Sequence, residues 1–404
     1  VTPLRDYQVR ALEQVRDQLR SGKRAVCCVL PTGAGKTRIG AEMALGANDR
    51  ARRTLWLAHR NELVQQAAER IRAEGIGRVG VIKADVFPDP GALVQVASVQ
   101  TLLAQGKRPE AELVVFDEAH HYVSSDWGAL AQHYSGAWRI GLTATPERGD
   151  GKPLGDLFQS LVAPIQVAEL TERGFLVPCH FVAPKKRISA KRMPDPVSAY
   201  LGNIHARSRR SIFFANLVEQ AEEYAARLQS AGIRAACISA DTDDDVRADA
   251  LRRFARGDIQ VLTNVFVLTE GTDLPPAEVC VLARGFGHAS TYLQAVGRVL
   301  RPSPETGKQS ALVLDLCGVS RTHGVPADER KYSLDGKAIQ VFNVGVWGRF
   351  ESMGKHCSPN ERSFYVQQLR IARARGFKPG WAVMRFKSKF GRAPWERGKV
   401  VAAE

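Results

Sequence analysis

Short apolar runs rich in Val, Leu, Ile and Phe alternate with helical patterns along most of this chain, break off, and then resume. The first series comprises Ala25 to Leu30, Thr54 to Ala58, Val94 to Ser98, Leu113 to Phe116 and Arg139 to Leu142. Apolar strands separated by helices are the pattern of a parallel, doubly wound sheet, because each parallel crossover needs a helix and the helices bury both faces. After Pro146 the rhythm is broken by Gly149, Gly151 and Pro153, and a less regular stretch containing the basic run Pro184 to Arg192 continues to about Arg209. It restarts with strands at Ser211 to Ala215, Ala235 to Ser239, Gln260 to Val265, Val279 to Ala283 and Ala311 to Asp315. Helical patterns at Leu217 to Ala231, Asp243 to Arg256 and Thr291 to Leu300 lie between them. Two α/β lobes follow, and a chain of 404 residues exceeds the ~250–300 at which one core stops growing.

The formal charge of +15 suits a polyanionic partner, since each Lys or Arg that pairs a phosphate also releases condensed counterions. It is concentrated: residues 331–404 carry 15 Lys or Arg against 5 Asp or Glu. Past residue 330 the strand rhythm stops, and helices are predicted at Asn360 to Arg375 and Trp381 to Phe390. This tail interleaves Phe377, Trp381, Phe386 and Phe390 with Lys378, Arg385, Lys387, Lys389 and Arg392. Trp381, Met384 and Phe390 read as a small helical core, and the basic residues as a contact surface. Seven cysteines without a C-x-x-C pair point to a reduced, cytoplasmic protein, and no apolar run approaches the ~20 residues of a membrane span.

The segment Leu30-Pro-Thr-Gly-Ala-Gly-Lys-Thr37 follows a strand and opens a helix. Thr32, Gly33, Ala34 and Gly35 form a loop whose backbone can approach phosphates, Lys36 is a point charge for β- and γ-oxygens, and Thr37 offers a hydroxyl to Mg²⁺. Leu30 stands where the full phosphate-loop pattern has its first glycine, so a chance Gly-rich turn is the competing reading. Asp117-Glu118-Ala119-His120 ends the strand Leu113 to Phe116, where a second acidic motif belongs. Asp117 is the candidate Mg²⁺ holder and Glu118 the candidate general base. A plain helix cap is the alternative for this pair, but the two motifs in the right order weigh against it.

These residues resemble the superfamily 2 helicases of the DEAH-box type, motif by motif from Leu4 to about Asp315. The resemblance implies two tandem RecA-like lobes that use ATP and Mg²⁺, with Arg5 and Gln8 of Leu4-Arg-Asp-Tyr-Gln8 at the adenine. Leu57-Ala-His-Arg-Asn-Glu-Leu63 and Ala97-Ser-Val-Gln-Thr101 are similar to strand-gripping loops, which assigns Arg60, Gln100 and Thr101 to nucleic acid. Gly141-Leu-Thr-Ala-Thr-Pro146 looks like the coupling motif, with Thr143 and Thr145 relaying between His120 and the second lobe. Thr269-Glu-Gly-Thr-Asp273 resembles the segment in which Gly271 and Asp273 meet nucleotide and nucleic acid. Gln294-Ala-Val-Gly-Arg-Val-Leu-Arg301 is similar to the family's arginine-finger helix. The i, i+4, i+7 spacing of Gln294, Arg298 and Arg301 would put all three on one helical face toward the cleft.

The organisation expected is a first lobe over 1–165, a connector over 166–209, a second lobe over 210–325 and a basic, mainly helical appendage over 326–404. The run Leu-Thr-Ala-Thr-Pro-Glu-Arg-Gly-Asp-Gly151 resembles the DNA-acting branch with XPB-type, type III restriction and RadD-type motors. It implies an ATP-driven DNA helicase or translocase, able to work as a monomer, from a cell's nucleoid or from a phage. An RNA helicase or remodeller, and an ATP-switched clamp that does not unwind, are the alternatives; a clamp has no use for a base and arginine fingers.

Overall fold

The computed structural model describes residues 3–84, 86, 89–122, 125–147, 153–269, 272–335, 340–342 and 380–390, with positions 364, 367, 368 and 371. Seven strands build the first sheet: β1 (Ala25–Val29), β2 (Thr54–Ala58), β3 (Val79–Ile82), β4 (Val94–Ser98), β5 (Leu113–Asp117), β6 (Trp138–Thr143) and β7 (Ser160–Val162). They lie in the order β3-β4-β2-β5-β6-β1-β7, and every pairing is parallel. The second sheet comprises β8 (Cys179–Val182), β9 (Ser211–Phe214), β10 (Ala235–Ile238), β11 (Val261–Asn264), β12 (Val279–Leu282) and β13 (Ala311–Asp315). Its order is β10-β11-β9-β12-β13-β8, again parallel throughout.

The central strands are buried along their whole length because both faces are covered, and their two-residue period sorts side chains between the layers. Along β1, Val26 and Cys28 enter one cluster while Ala25, Cys27 and Val29 enter another. Along β9, Ile212 and Phe214 join the first of these clusters, and Phe213 belongs to a third. One apolar cluster thus runs from a face of the first sheet to a face of the second.

The structure departs from the sequence-based expectation in several places. The stretch over 166–209 is not irregular throughout: it holds the helices Val167–Glu172 and Pro196–Leu201 and supplies β8, the edge of the second sheet. Beyond residue 330, where strand rhythm ends, β14 (Glu329–Lys331) pairs antiparallel with β15 (Gln340–Phe342). Charged Glu329 and Lys331 give no apolar alternation, and the pairing is made by backbone. Gln166 anchors this segment through both its amide groups, donating to the Arg330 carbonyl at 2.8 Å and accepting from the Arg330 N–H at 2.9 Å.

In the tail, the helix Gly380–Phe390 forms as predicted, whereas the helix expected over Asn360 to Arg375 lies largely outside the described residues. Met384 is exposed and Phe386 is the buried residue, contacting Phe390 at 4.6 Å between ring centroids. The small core therefore uses Phe386 in place of Met384, while Arg385, Lys387 and Lys389 are exposed.

Gly40 fixes how closely the helix Lys36–Asn48 sits on the first sheet. A Cβ there would lie 2.5 Å from Cη2 of fully buried Trp56 and 2.8 Å from Leu142 Cδ1. Rigid neighbours on both sides make overpacking costly, so Gly40→Ala is expected to destabilise the protein by about 1–3 kcal/mol in urea unfolding. An unchanged midpoint would contradict this packing.

Candidate active site

β1 feeds the loop Leu30–Thr37 at the carboxyl end of the first sheet, where parallel α/β sheets hold their ligands. Gly33 and Gly35 both adopt φ of +86°, the left-handed region that glycine enters without strain. Side chains have no room at either. A Cβ on Gly33 would come 3.0 Å from Leu176 Cδ2 and 3.5 Å from Arg301 Cγ, and one on Gly35 would come 2.6 Å from Gln8 Nε2. The helix Lys36–Asn48 starts at Gly35, which has no side chain to cap it. Its first-turn N–H groups and dipole are therefore left for an anion.

The N-terminal segment braces this loop. The Tyr7 hydroxyl donates to the Ala34 carbonyl at 3.0 Å, Gln8 Nε2 donates to the same oxygen at 3.3 Å, and Gln8 Oε1 accepts from the Arg5 N–H at 3.0 Å. Arg5 lies 4.2 Å above the ring of Phe175. Arg5 and Gln8 stand beside the phosphate loop, together with Tyr7, Phe175 and Leu176, which the sequence did not single out. The last two follow Gly174 in a stretch read as a connector, and nothing in their spacing marks them as neighbours of Gly33.

β5 ends on Asp117, and Glu118 then takes φ of +48°, an unusual conformation for a residue other than glycine. Lys36 Nζ pairs with Glu118 Oε1 at 2.6 Å, both side chains 13% exposed. Asp117 is buried; loss of water, with the Glu118 charge beside it, pushes its carboxyl up to about 7. The Asp117 carboxyl and the half-buried Thr37 hydroxyl, next to an uncapped helix start, are hard oxygen donors of the kind that fits Mg²⁺ with a polyphosphate.

His120 links the acidic turn to β6. Its Nδ1 lies 3.0 Å from Thr143 Oγ1 and 3.6 Å from Glu118 Oε2. Thr143 Oγ1 donates to the Thr145 carbonyl at 2.7 Å and accepts from the Thr145 N–H at 3.2 Å. Arg60 is the N-cap of the helix Asn61–Ala73 after β2. Gln100, exposed after β4, donates to the His59 carbonyl at 2.6 Å. Thr101 is buried in the first turn of the helix Val99–Ala104, where its N–H donates to Oγ of the N-cap Ser98 at 3.4 Å.

The second lobe reaches the phosphate loop through the helix Ala289–Gly297. A Cβ on Gly297 would lie 2.7 Å from Thr32 Cβ, so the two lobes touch at this glycine. The helix was expected to continue to Leu300 and present Gln294, Arg298 and Arg301 on one face; it ends at Gly297. Bonds of the i to i−3 type, such as Leu300 N–H to the Gly297 carbonyl at 3.3 Å, tighten the chain beyond it. Pro302 disfavours helical geometry at Arg301.

The two arginines consequently diverge. Arg298 donates from Nε and Nη2 to the Thr269 carbonyl at 3.1 and 2.7 Å, and from Nη1 to the Thr272 carbonyl. Arg301 pairs with Asp273 and lies against Gly33. Gln294 is buried, and Gly271 lies outside the described residues.

Residues 2–148 match the family described as type III restriction enzyme, res subunit, and residues 196–303 match the helicase conserved C-terminal domain. These two matches, one in each lobe, support placing the chain with the superfamily 2 helicases, in the type III restriction and XPB-like branch. Among its relatives, a 51.5 kDa protein of a Lactococcus phage is 27% identical over 316 residues, which is 73% of this chain and 66% of that protein. The DNA 3'-5' translocase XPB2 of Sulfurisphaera tokodaii is 28% identical over 354 residues, 74% of this chain and 78% of the relative. A solved structure of the ATP-dependent type ISP restriction-modification enzyme LlaBIII bound to DNA has the same two-lobed fold, with a TM-score of 0.59 at 16% identity over 77% of this chain and 27% of that one. The chain spans between half and two thirds of the length of several of its relatives.

The Gly297–Thr32 contact generates a sharp expectation for a superfamily 2 site. Gly297→Ala should lower ATP turnover by about 10- to 100-fold through misplacement of the Arg301 segment, and Thr32→Gly in the same chain should restore part of it by removing the opposing Cβ. Equal turnover by Gly297→Ala and the parent, measured by phosphate release, would show that the contact does not position the site.

Proposed function

We propose that this chain is an ATP-dependent DNA helicase or translocase, in which hydrolysis between two lobes drives movement along DNA. The observation that carries the reading is the seating of Gly297 and Arg301, from the second lobe, directly on Thr32 and Gly33 of the phosphate loop. The lobes are proposed to be 1–165 and 210–325, with 166–209 between them and 326–404 as a basic appendage.

In this reading Gln8 and Arg5 hold the adenine edge, while Thr32, Gly33, Ala34 and Gly35 present backbone to the phosphates. Mg²⁺, held by Thr37 and Asp117, supplies positive charge to phosphate oxygens when bound. Lys36 neutralises the terminal phosphates. Its present pairing with Glu118 means that binding a phosphate at Lys36 frees the Glu118 carboxylate to orient the attacking water and accept its proton. Arg301, already beside Gly33, stabilises charge on the transferred phosphoryl group. Arg298 clamps Thr269 and Thr272, so that Asp273 moves with the finger segment, and Gly271 is assigned to the nucleotide. Gln294, buried on the same helix, supports it. His120, Thr143 and Thr145 report the state of Glu118 to the cleft.

Arg60 and Gln100 contact the strand directly, and Thr101 shapes the turn that bears Gln100. The branch with which these matches place the chain, and a translocase relative named for DNA, support DNA over RNA. No described helix is long and apolar enough to cross a membrane, and both halves of the site in one chain support action as a monomer in the cytoplasm or nucleoid.

Lys36→Ala and Arg301→Ala should each reduce DNA-stimulated ATP hydrolysis by about 10³-fold or more, the range an arginine finger supplies in comparable systems. Turnover near that of the parent in either variant would sink the assignment. Single-stranded DNA should stimulate the parent more than RNA of the same length and sequence; the reverse ranking would favour the RNA reading.

A further inference from the structure

The carboxyl ends of β9, β11 and β12 bring together three residues that the ATP site leaves unused. Leu217, after β9, is 52% exposed, and Phe266, after β11, is 37% exposed. Arg284 follows β12, its guanidinium carbon 3.6 Å above the centre of the Phe266 ring, and Arg284 Nη1 donates to the Ala215 carbonyl at 3.2 Å. Phe266 also meets Phe286 edge-on at 6.3 Å.

The backbone at Phe266 is the unusual part. Its φ of +56° is a left-handed conformation that a bulky aromatic residue rarely takes and that costs about 1–3 kcal/mol. With the residue still 37% exposed, burial offsets only part of that. The strain nevertheless persists, because the turn is tied on its far side: the Phe266 carbonyl accepts from Thr269 N–H at 3.3 Å and from the Thr269 hydroxyl at 2.5 Å. The Thr269 carbonyl in turn accepts from Arg298. One short chain of contacts therefore leads from an exposed aromatic ring to the arginine segment on the phosphate loop.

We infer that Phe266, backed by Arg284, is a stacking platform for a base of a single nucleic-acid strand, and that occupation of this platform positions the Thr269–Arg298 segment for ATP hydrolysis. The inference rests on the nucleic-acid motor reading above and adds to it a specific strand contact and a route to the ATP cleft. An aromatic face with a guanidinium against it suits any base, because every base has a π-face, and the arginine adds attraction for the adjoining phosphate. Its place matches that of Arg60 and Gln100, which follow strands β2 and β4 at the carboxyl end of the first sheet. Phe266 is a positioning residue in this scheme and does not touch ATP.

The test uses the whole chain and three variants, Phe266→Ala, Phe266→Gly and Phe266→Tyr. Binding of single-stranded DNA carrying 2-aminopurine is followed by anisotropy and by fluorescence quenching, and ATP hydrolysis is measured with and without DNA. Loss of one base–aromatic stack should weaken DNA binding about 5- to 150-fold in the Ala and Gly variants. Quenching at one position of the strand should be abolished, and the DNA concentration for half-maximal ATPase should rise in parallel. Phe266→Tyr should behave as the parent.

Glycine separates stacking from loop shape, since it takes φ of +56° without strain. If Phe266→Gly binds and is stimulated like the parent while Phe266→Ala is defective, the residue acts through backbone conformation and the platform is overturned. Parent-like binding, quenching and stimulation in all three variants overturns it too, leaving the motor reading intact. A parent protein that neither binds nor responds to DNA or RNA overturns both.

Discussion

Gly297 and Thr32 approach so closely that a Cβ on the glycine would stand 2.7 Å from the threonine Cβ. That approach turns two α/β lobes into one site. The phosphate loop and the acid pair belong to the first lobe, and Arg301, which lies against Gly33, belongs to the second. Everything near the contact is arranged around it. Leu176 packs on Gly33, Arg301 crosses the same glycine to reach Asp273, and Arg298 ties the Thr269–Thr272 backbone to the helix end. A shift of the second lobe therefore moves Arg301, Asp273 and exposed Phe266 together.

Beside this contact the phosphate loop carries its own ion pair. Lys36 and Glu118 neutralise each other, with Asp117 buried behind them and raised toward neutrality by loss of water. Such a pair is costly to keep apart and easy to exchange: an incoming polyphosphate competes for Lys36 with formal charge that Glu118 cannot match. The exchange would free a base in a turn already held at φ of +48° and linked through His120 to Thr143 and Thr145. Charge on the phosphate loop and the conformation of the coupling motif are thereby connected through side chains 3–4 Å apart.

Central strands were legible in the sequence because burial on both faces leaves continuous apolar runs: β1, β2, β4 and β5 each have all residues buried. In the two parallel sheets, the strands that sequence reading missed, β3, β7 and β8, are all edge strands. Each is short and carries a residue that interrupts an apolar run, Gly80, Ser160 and His180 respectively, as suits a strand covered less completely. Lys36, Thr37, Asp117 and Glu118 were readable since each is fixed by a local strand-to-turn motif. The helical face proposed for Gln294, Arg298 and Arg301 was not, because the helix ends where tertiary contact demands a glycine, and Arg298 was captured by backbone carbonyls 26 and 29 residues away. Phe175 and Leu176 left no trace in local spacing either; they are neighbours of the phosphate loop only through the path of the chain between lobes.

The central claim is that the ATP site is completed by the second lobe. A crystal structure of the chain with ADP, Mg²⁺ and a phosphate analogue tests it most directly. The account predicts that Lys36 will have left Glu118 for the analogue, and that the Arg301 guanidinium will stand within hydrogen-bond distance of it, about 3 Å. Nucleotide and analogue held by the first lobe alone, with the Lys36–Glu118 pair intact and Arg301 still on Asp273, would contradict it.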